Sequence, residues 1–380
     1  MKQFQMPTKI FFGENALDRL AQLPQRRALL IADPFVVSSG MIHRLTERLE
    51  QAGIRWSVYQ DIVPDPPIAS ISDGVQALIK DSPDLLIAVG GGSALDSAKL
   101  IREVAFKMDS ECLSYFVAIP TTSGTGSEVT SFSVVTDEES RRKIPIVSTH
   151  MLPDEAILDV TLVSSVPASI VADTGMDVFT HALESYVSTG NHEFSAAMAE
   201  KTLELVRDFL LRSYQSAQDL RAREKMHIAS CMAGIAFNQS ALGLNHGIAH
   251  QLGAKFHIPH GRANAMVLPL VIRFNAGDDL ERPGDKPARH VEKYAAVAHM
   301  LGLPSYHYTA AIASLCTWIE SMMRQMQMPR RMSETGACSR EEYFAAIPAM
   351  ARGALEDHCT ATNPRKASVK DVENLLERLW

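Results

Sequence analysis

Short runs of β-branched and aliphatic residues alternate with helix-patterned segments through roughly the first 160 residues of the chain. The runs are KIFFG, ALLIAD, RWSVYQDI, DLLIAVG, YFVAIP, VTSFSVV, KIPIVS and EAILD. Strand-length runs that alternate with helical segments are typical of a mainly parallel sheet covered by helices. The polar stretch TDEESRR separates the sixth run from the seventh. It predicts a hairpin at this point in place of a helical crossover.

From about Pro167 the pattern changes to long segments with apolar residues three and four positions apart, as at Met176, Phe179, Leu183 and Tyr186. This spacing places apolar side chains on one face of a helix. The pattern therefore predicts an α/β domain over residues 1–165, followed by an all-helical domain over residues 166–380. With 46% hydrophobic residues, the chain can fill two cores.

Composition narrows the class of protein. The 37 basic and 44 acidic residues give a net charge of −7 and are scattered without a basic block. This disfavours a nucleic-acid or membrane-surface partner. The 5 cysteines form no CxxC pair, and their odd number suits a reducing cytosol. The amino terminus has no apolar stretch of signal-peptide length, and no later segment has the apolar length of a membrane span, so we expect a cytoplasmic protein.

A glycine loop follows the fourth apolar run, although the usual GxGxxG dinucleotide fingerprint is absent after the early runs. In DLLIAVGGGSALDSAKLIREVA the run leads into Gly90, Gly91 and Gly92, and then into Ser93 with Asp96 three positions later. This order predicts a strand, a glycine turn and a helix that begins with a pair resembling a capping box. Backbone N–H groups and the helix dipole favour an anion there, and a pyrophosphate fits.

A second loop, AIPTTSGTGSEVT, follows the fifth run and carries hydroxyl groups on Thr121, Thr122, Ser123, Thr125 and Ser127. Two such loops at the carboxyl ends of strands are expected at the crevice of an open α/β sheet. Asp33 closes the run ALLIA, where a carboxylate accepts hydrogen bonds from ribose hydroxyls and repels a 2′-phosphate. Each feature alone is as typical of a plain turn or a helix cap. Together they predict binding of NAD in preference to NADP.

Carboxylate and imidazole side chains recur at helical spacing in the second half of the chain. The residues are Asp177 and His181, His246 and His250, and then His257 and His260. Residues four positions apart share a helix face, and this mixture of ligand types suits Fe²⁺ or Zn²⁺. The spacing leaves open which of the last four histidines bind the metal.

Five motifs together resemble the iron-containing (group III) alcohol dehydrogenase family: GGGSALDSAK, IPTTSGTGSE, GMDVFTHALE, GLNHGIAHQLG and IPHGRANA. The resemblance implies an α/β fold, in which a Rossmann-like, mainly parallel sheet domain binds the dinucleotide. An all-helical domain that binds the metal and carries catalysis follows it, as in dehydroquinate synthase. Within the family, the chain most resembles propanol and ethanol dehydrogenases that are associated with bacterial microcompartments.

The resemblance also implies roles for single residues. It places the metal ligands at Asp177, His181, His246 and His260, and it makes His250 a catalytic non-ligand that assists proton transfer. It implies contacts with NAD for Asp33, Gly91, Gly92, Ser93, Asp96, Thr121, Thr122, Ser127, Lys143 and Leu162. Leu162 matches a leucine of the nicotinamide pocket, although Asp159-Val160 stands where the family usually has Asp-Pro.

The implied function is hydride transfer between NAD(H) and a short-chain primary alcohol or its aldehyde, such as propanol or ethanol. Fe²⁺ is the expected metal and Zn²⁺ the alternative. A bound metal polarises the substrate oxygen, and the nicotinamide exchanges the hydride. The resemblance also implies a homodimer or higher oligomer. It allows a location inside a microcompartment, with shell or enzyme partners.

Three alternatives stay open from the sequence. A polyol dehydrogenase of the glycerol type would share the fold and differ in substrate. A lyase similar to dehydroquinate synthase would need a basic phosphate-binding cluster near the histidine motifs, where none is evident. A non-catalytic component of an assembly would keep the fold without needing a metal.

Overall fold

The computed structural model describes residues 3–63, 68–109, 114–137, 142–277 and 287–380 of the chain. The chain divides into two compact units, Met1–Val166 and Pro167–Trp380. The boundary predicted after residue 165 lies beside this division.

All eight predicted apolar runs form strands, with bounds β1 Lys9–Gly13, β2 Arg27–Ala32, β3 Arg55–Tyr59, β4 Leu85–Gly90, β5 Tyr115–Pro120, β6 Phe132–Asp137, β7 Arg142–Val147 and β8 Glu155–Asp159. Six of them form one parallel sheet in the order β1-β8-β5-β4-β2-β3. Strands β6 and β7 pair with each other in antiparallel register, which confirms the predicted hairpin pairing. The residues between these two strands lie outside the described part of the chain.

Helices cover both faces of the sheet, with bounds α1 Pro34–Ser38, α2 Ile42–Gln51, α3 Ile68–Asp81, α4 Gly92–Met108 and α5 Val160–Val163. Successive side chains of β2 enter different apolar clusters. Leu29 and Ile31 pack in a cluster with residues of α3 and α4, whereas Leu30 packs in another with residues of α2. Central parallel strands are buried on both faces. This is why the runs are continuously apolar instead of alternating.

The carboxyl ends of β2, β4 and β5 lie side by side. The N–H of Asp33 donates to the carbonyl of Val89 at 3.0 Å, and the N–H of Thr121 donates to that of Gly90 at 2.9 Å. The strand order reverses here, because β2 leads to β3 on one side while β4 and β5 lie on the other. Open α/β sheets bind ligands at such a switch point. The fold therefore brings Asp33 and both glycine loops to one edge.

Every regular element described in the second unit is helical, with bounds α6 Ala168–Val187, α7 Glu193–Gln215, α8 Leu220–Ser240, α9 Leu244–Phe256, α10 His260–Ala276, α11 Arg289–Met300, α12 Tyr308–Gln325, α13 Arg340–Glu356 and α14 Val369–Leu379, besides short 3-10 turns. Helix α6 packs against α7, α8 and α10. Its predicted apolar stripe is buried, which confirms that assignment. The parallel sheet and the helical second unit confirm the predicted fold class.

Among the described residues, no helix has both the length and the apolar character that a membrane crossing requires.

Candidate metal centre

Three helices of the second unit bring the four predicted ligands together. Asp177 and His181 lie one turn apart on α6, His246 lies in the first turn of α9, and His260 begins α10. One ligand atom from each of the four lies within 4.8 Å of the others. Asp177 Oδ1 is 3.8 Å from His246 Nε2 and 3.6 Å from His260 Nε2. The four donor groups therefore converge on one small volume.

The chemistry of this group fits a divalent cation. The side chains of Asp177, His181 and His246 are at most 5% exposed, whereas that of His260 is 41% exposed. Burial raises the pKa of Asp177 and lowers the pKa of His246. A buried carboxylate beside neutral imidazoles is costly without a cation to compensate it. One carboxylate and three imidazoles form a ligand set that Fe²⁺ and Zn²⁺ both accept.

The start of α10 is fixed against α6 by two neighbouring residues. A Cβ on Gly261 would lie 2.0 Å from the backbone oxygen of Asp173, so only glycine permits this approach. Arg262 donates to both carboxylate oxygens of Asp173, from Nε at 3.1 Å and from Nη2 at 3.0 Å. A two-pronged pair of this kind fixes orientation as well as distance. It therefore holds His260, which precedes Gly261, over the turn of α6 that carries Asp177.

Glu184 on α6 contacts the ring of His246 at Nδ1. Its Oε2 is hydrogen-bonded to His246 Nδ1, and its Oε1 accepts the N–H of Asn245 at 2.8 Å. Burial raises the pKa of Glu184 to about 8. In its ionised form Glu184 accepts the hydrogen of Nδ1, which fixes the ring orientation and leaves the lone pair of Nε2 for a metal. A Cβ on Gly243 would lie 2.6 Å from Glu184 Oε1, so this close approach also depends on a glycine.

Asn264, one turn after His260, connects the ligands through its amide. Its Nδ2 lies 2.8 Å from Asp177 Oδ1, 3.1 Å from His246 Nε2 and 3.2 Å from His260 Nε2. Its Oδ1 accepts a hydrogen bond of 2.9 Å from Asn245 Nδ2. Neither Asn264 nor Glu184 was predicted from the sequence. The signal available was their helical spacing from His260 and His181, on the same faces as those ligands.

His250 lies one turn after His246 but has a different partner. Its Nδ1 is 2.7 Å from Asp357 Oδ2, and its ring stacks on that of His260 with centroids 5.3 Å apart. It therefore lies beside the ligand group without belonging to the set of four. A non-ligand proton carrier needs this position, and the role itself stays a prediction. The remaining histidine of the motif, His257, follows α9 in a left-handed conformation and lies outside the ligand clusters of the described residues.

The predicted capping pair at the first glycine loop is wrong. Helix α4 begins at Gly92 with Gly91 as its N-cap, and no side chain caps it. Ser93 therefore lies within the first turn, and Asp96 accepts a hydrogen bond of 2.6 Å from the hydroxyl of Ser127 instead. The third glycine moves the helix start one residue earlier than the serine. The absence of a side-chain cap at this turn fits the predicted pyrophosphate.

The two glycine loops touch each other and are tied to α4. A Cβ on Gly92 would lie 2.7 Å from Cγ2 of Thr125. The buried Lys99 donates from Nζ to Ser127 Oγ, Thr130 Oγ1 and the carbonyl of Phe132 at 2.7, 2.8 and 3.1 Å. Burial lowers the pKa of Lys99 to about 8. Lys99, for which the sequence predicted no role, therefore ties the second loop to α4.

The other predicted NAD contacts have varied surroundings. Asp33 is the N-cap of α1, where its Oδ1 accepts the N–H of Phe35 at 2.8 Å. Thr121 is buried and Thr122 is half-buried. Leu162 is fully buried in the apolar cluster that includes α2. The side chain of Lys143 lies outside the described part of the structure.

Known proteins resemble this chain along its whole length. The family model for iron-containing alcohol dehydrogenase matches residues 7–160, and that for the C-terminal part of the Fe-containing alcohol dehydrogenase family matches residues 171–380. A 1-propanol dehydrogenase of Citrobacter freundii is 41% identical over 379 residues, covering 100% of both chains. An NADPH-dependent butanol dehydrogenase of Clostridium saccharobutylicum is 33% identical, covering 100% of this chain and 98% of its own. The crystal structure of a 1,3-propanediol oxidoreductase superposes with a TM-score of 0.90 at 30% identity, covering 100% of both chains.

Proposed function

The chain belongs to the iron-containing alcohol dehydrogenase family, and on that premise we propose that it interconverts 1-propanol and propionaldehyde at the Asp177–His260 metal centre. It is an oxidoreductase that transfers hydride between NAD(H) and a short-chain alcohol or aldehyde. The observation that carries the proposal is the convergence of four candidate ligand atoms, from three helices, to within 4.8 Å of one another. The identity to a 1-propanol dehydrogenase supports the choice of substrate.

The metal centre would hold Fe²⁺, with Zn²⁺ as the alternative, through Asp177, His181, His246 and His260. When bound, the metal polarises the substrate oxygen and the nicotinamide exchanges the hydride. Glu184 would orient His246 through Nδ1, and Asn264 would orient Asp177 through Oδ1. His250 would give a proton to the substrate oxygen during aldehyde reduction and take it back during alcohol oxidation, as a general acid–base residue beside the metal centre.

The first unit would bind NAD along the edge formed by Asp33 and the two glycine loops. The uncapped first turn of α4 offers its N–H groups to the pyrophosphate. Asp33 would accept from ribose hydroxyls and repel a 2′-phosphate. The butanol dehydrogenase relative is NADPH-dependent, so the choice between the two cofactors has to be measured on this chain.

A second substrate class is favoured by one comparison. The 1,3-propanediol oxidoreductase has the same fold over its full length, so a diol and its hydroxyaldehyde are the alternative pair.

We further propose a cytoplasmic homodimer or larger homo-oligomer that is housed in a microcompartment. The family resemblance supports both ideas, and β1 lies at the edge of the sheet with Phe12 64% exposed. A monomer mass in light scattering at micromolar concentration would contradict the dimer.

The proposal is tested by anaerobic purification, metal analysis and NADH oxidation assays over acetaldehyde, propionaldehyde, butyraldehyde and 3-hydroxypropionaldehyde. We expect the highest kcat/KM with propionaldehyde. We also expect loss of turnover on chelation and recovery with Fe²⁺ or Zn²⁺. A preference for the hydroxyaldehyde would favour the diol alternative. Metal-loaded protein that turned over none of the aldehydes would contradict the proposed function.

A further inference from the structure

His250 and Asp357 form a hydrogen-bonded pair beside the ligand group. Their side chains are 25% and 16% exposed, and Nδ1 of His250 lies 2.7 Å from Oδ2 of Asp357. An ionised carboxylate only accepts hydrogen bonds, so Nδ1 of a neutral ring must carry the hydrogen. The lone pair of that ring is then on Nε2. Asp357 thereby selects which nitrogen of His250 can exchange a proton with another group.

Asp357 is itself held in place by contacts that do not involve His250. Its Oδ1 accepts the N–H of Cys359 at 2.9 Å, as the N-cap of the 3-10 turn His358–Thr362. Thr360 in that turn donates to the carbonyl of Ala354 at 2.6 Å. A Cβ on Gly247 would lie 2.2 Å from Thr360 Oγ1, so the turn packs tightly on α9. The two oxygens of the carboxylate thus have separate tasks.

We propose that Asp357 is a positioning residue, which holds His250 through Oδ2 so that Nε2 serves the substrate proton, while Oδ1 caps the adjacent turn. This inference rests on the proposed function, in which His250 carries the proton. Asp357 lies 107 positions from His250. It is not one of the four candidate ligands of the metal centre, so its loss should spare metal binding.

Asp357→Asn tests this assignment because the amide oxygen can still accept from a backbone N–H, but the side chain no longer offers a carboxylate to Nδ1. We expect Asp357→Asn to lower kcat about 10- to 100-fold, as loss of an orienting partner typically does. Metal content, the KM for the aldehyde and NADH affinity measured by fluorescence should change little. Thr360→Val is the matched control, since it disturbs the same turn without touching His250. It should lower the melting temperature but reduce kcat less than Asp357→Asn does, because the contact between Oδ2 and Nδ1 remains.

A double-mutant cycle with His250→Ala separates positioning from a structural role. If Asp357 acts through His250, adding Asp357→Asn to His250→Ala should cause no further loss of kcat. Equal losses in both backgrounds would overturn the proposal, because a structural effect on the turn does not depend on the imidazole.

A measurement that needs no turnover keeps this inference distinct from the proposed function. Histidine-selective ¹⁵N labelling of the Zn²⁺-loaded protein should show an Nδ1–H resonance that disappears in both Asp357→Asn and His250→Ala. Its absence from the wild-type spectrum would refute the positioning role even in an active enzyme. Its presence in a protein that reduced no aldehyde would refute the proposed function and leave the pairing intact.

Discussion

His246 and His250 are the same residue type one turn apart on one helix, yet each is held by a different carboxylate. Glu184 contacts Nδ1 of His246, and Asp357 contacts Nδ1 of His250. Helical spacing alone cannot distinguish the two histidines, because residues four positions apart lie on the same face of a helix. The distinguishing partners lie 62 and 107 positions away along the chain. This is why helical spacing identifies both histidines, while only the family resemblance predicts different roles for them.

The first prediction contrasts these two histidines. His246→Ala should lose the metal, because it removes a buried ligand. His250→Ala should keep stoichiometric metal while turnover falls by about 10²–10⁴-fold, the usual cost of losing general acid–base catalysis. Metal analysis of both purified variants, with their rates, decides the matter. A metal-free His250→Ala protein would refute the proton-transfer role and restore His250 as a ligand candidate.

A second residue-scale prediction concerns the choice of nicotinamide cofactor. Asp33 also caps α1, so Asp33→Ala removes a charge and a helix cap together. Asp33→Asn keeps an oxygen for the cap and removes only the charge that would repel a 2′-phosphate. Both variants should raise kcat/KM for NADP relative to NAD, with Asp33→Asn the more stable of the two. An unchanged ratio in Asp33→Asn would contradict the ribose-binding role.

At the scale of elements, the strand and helix pattern was predictable because the central apolar runs are continuous and the long helices of the second unit have buried apolar residues. All eight strands and the change to helices near Pro167 follow from that pattern. The start of α4 did not follow from the sequence pattern, because the N-cap is Gly91, which has no side chain to signal a cap. The packing of α10 on α6 could not be predicted from the sequence either. It depends on contacts between Gly261, Arg262 and Asp173 across two helices.

The third prediction tests that packing. Gly261→Ala would place a Cβ 2.0 Å from a backbone oxygen of α6, so α10 must shift. We expect a destabilisation of about 1–3 kcal/mol or more, as for other overpacked sites, together with weaker metal binding. Gly253→Ala on α9 is the matched control, because its nearest contact would be at 3.5 Å. That variant should be neutral or gain about 0.5–1 kcal/mol from better helix propensity. Equal effects of the two substitutions in thermal melts and metal titrations would contradict this packing argument.

At the scale of the whole molecule, the candidate ligands and the glycine loops belong to different compact units. The family motifs predicted the glycine loops in the first half of the chain and the candidate ligands in the second half. The sequence assigned no role to Glu184, Asn264, Lys99 or Asp357, because each contacts a predicted site residue that lies in another segment.

The fourth prediction follows from this division. His260→Ala should abolish metal binding and activity while NADH affinity stays nearly unchanged, since the glycine loops lie in the first unit. Fluorescence titration with NADH and metal analysis on the same preparation measure the two properties separately. A comparable loss of both would contradict independent sites.

The exposure of His260 has a consequence for the kinetics of metal exchange. Its imidazole is 41% exposed, whereas the side chains of the other three ligands are almost wholly buried. His260 is therefore the candidate ligand that solvent reaches, and we expect ion release without unfolding of α6 and α9. A chelator should strip the ion from the native protein at a rate set by this single side chain. Occupancy in the cell would then follow the supply of free iron or zinc on the timescale of that exchange.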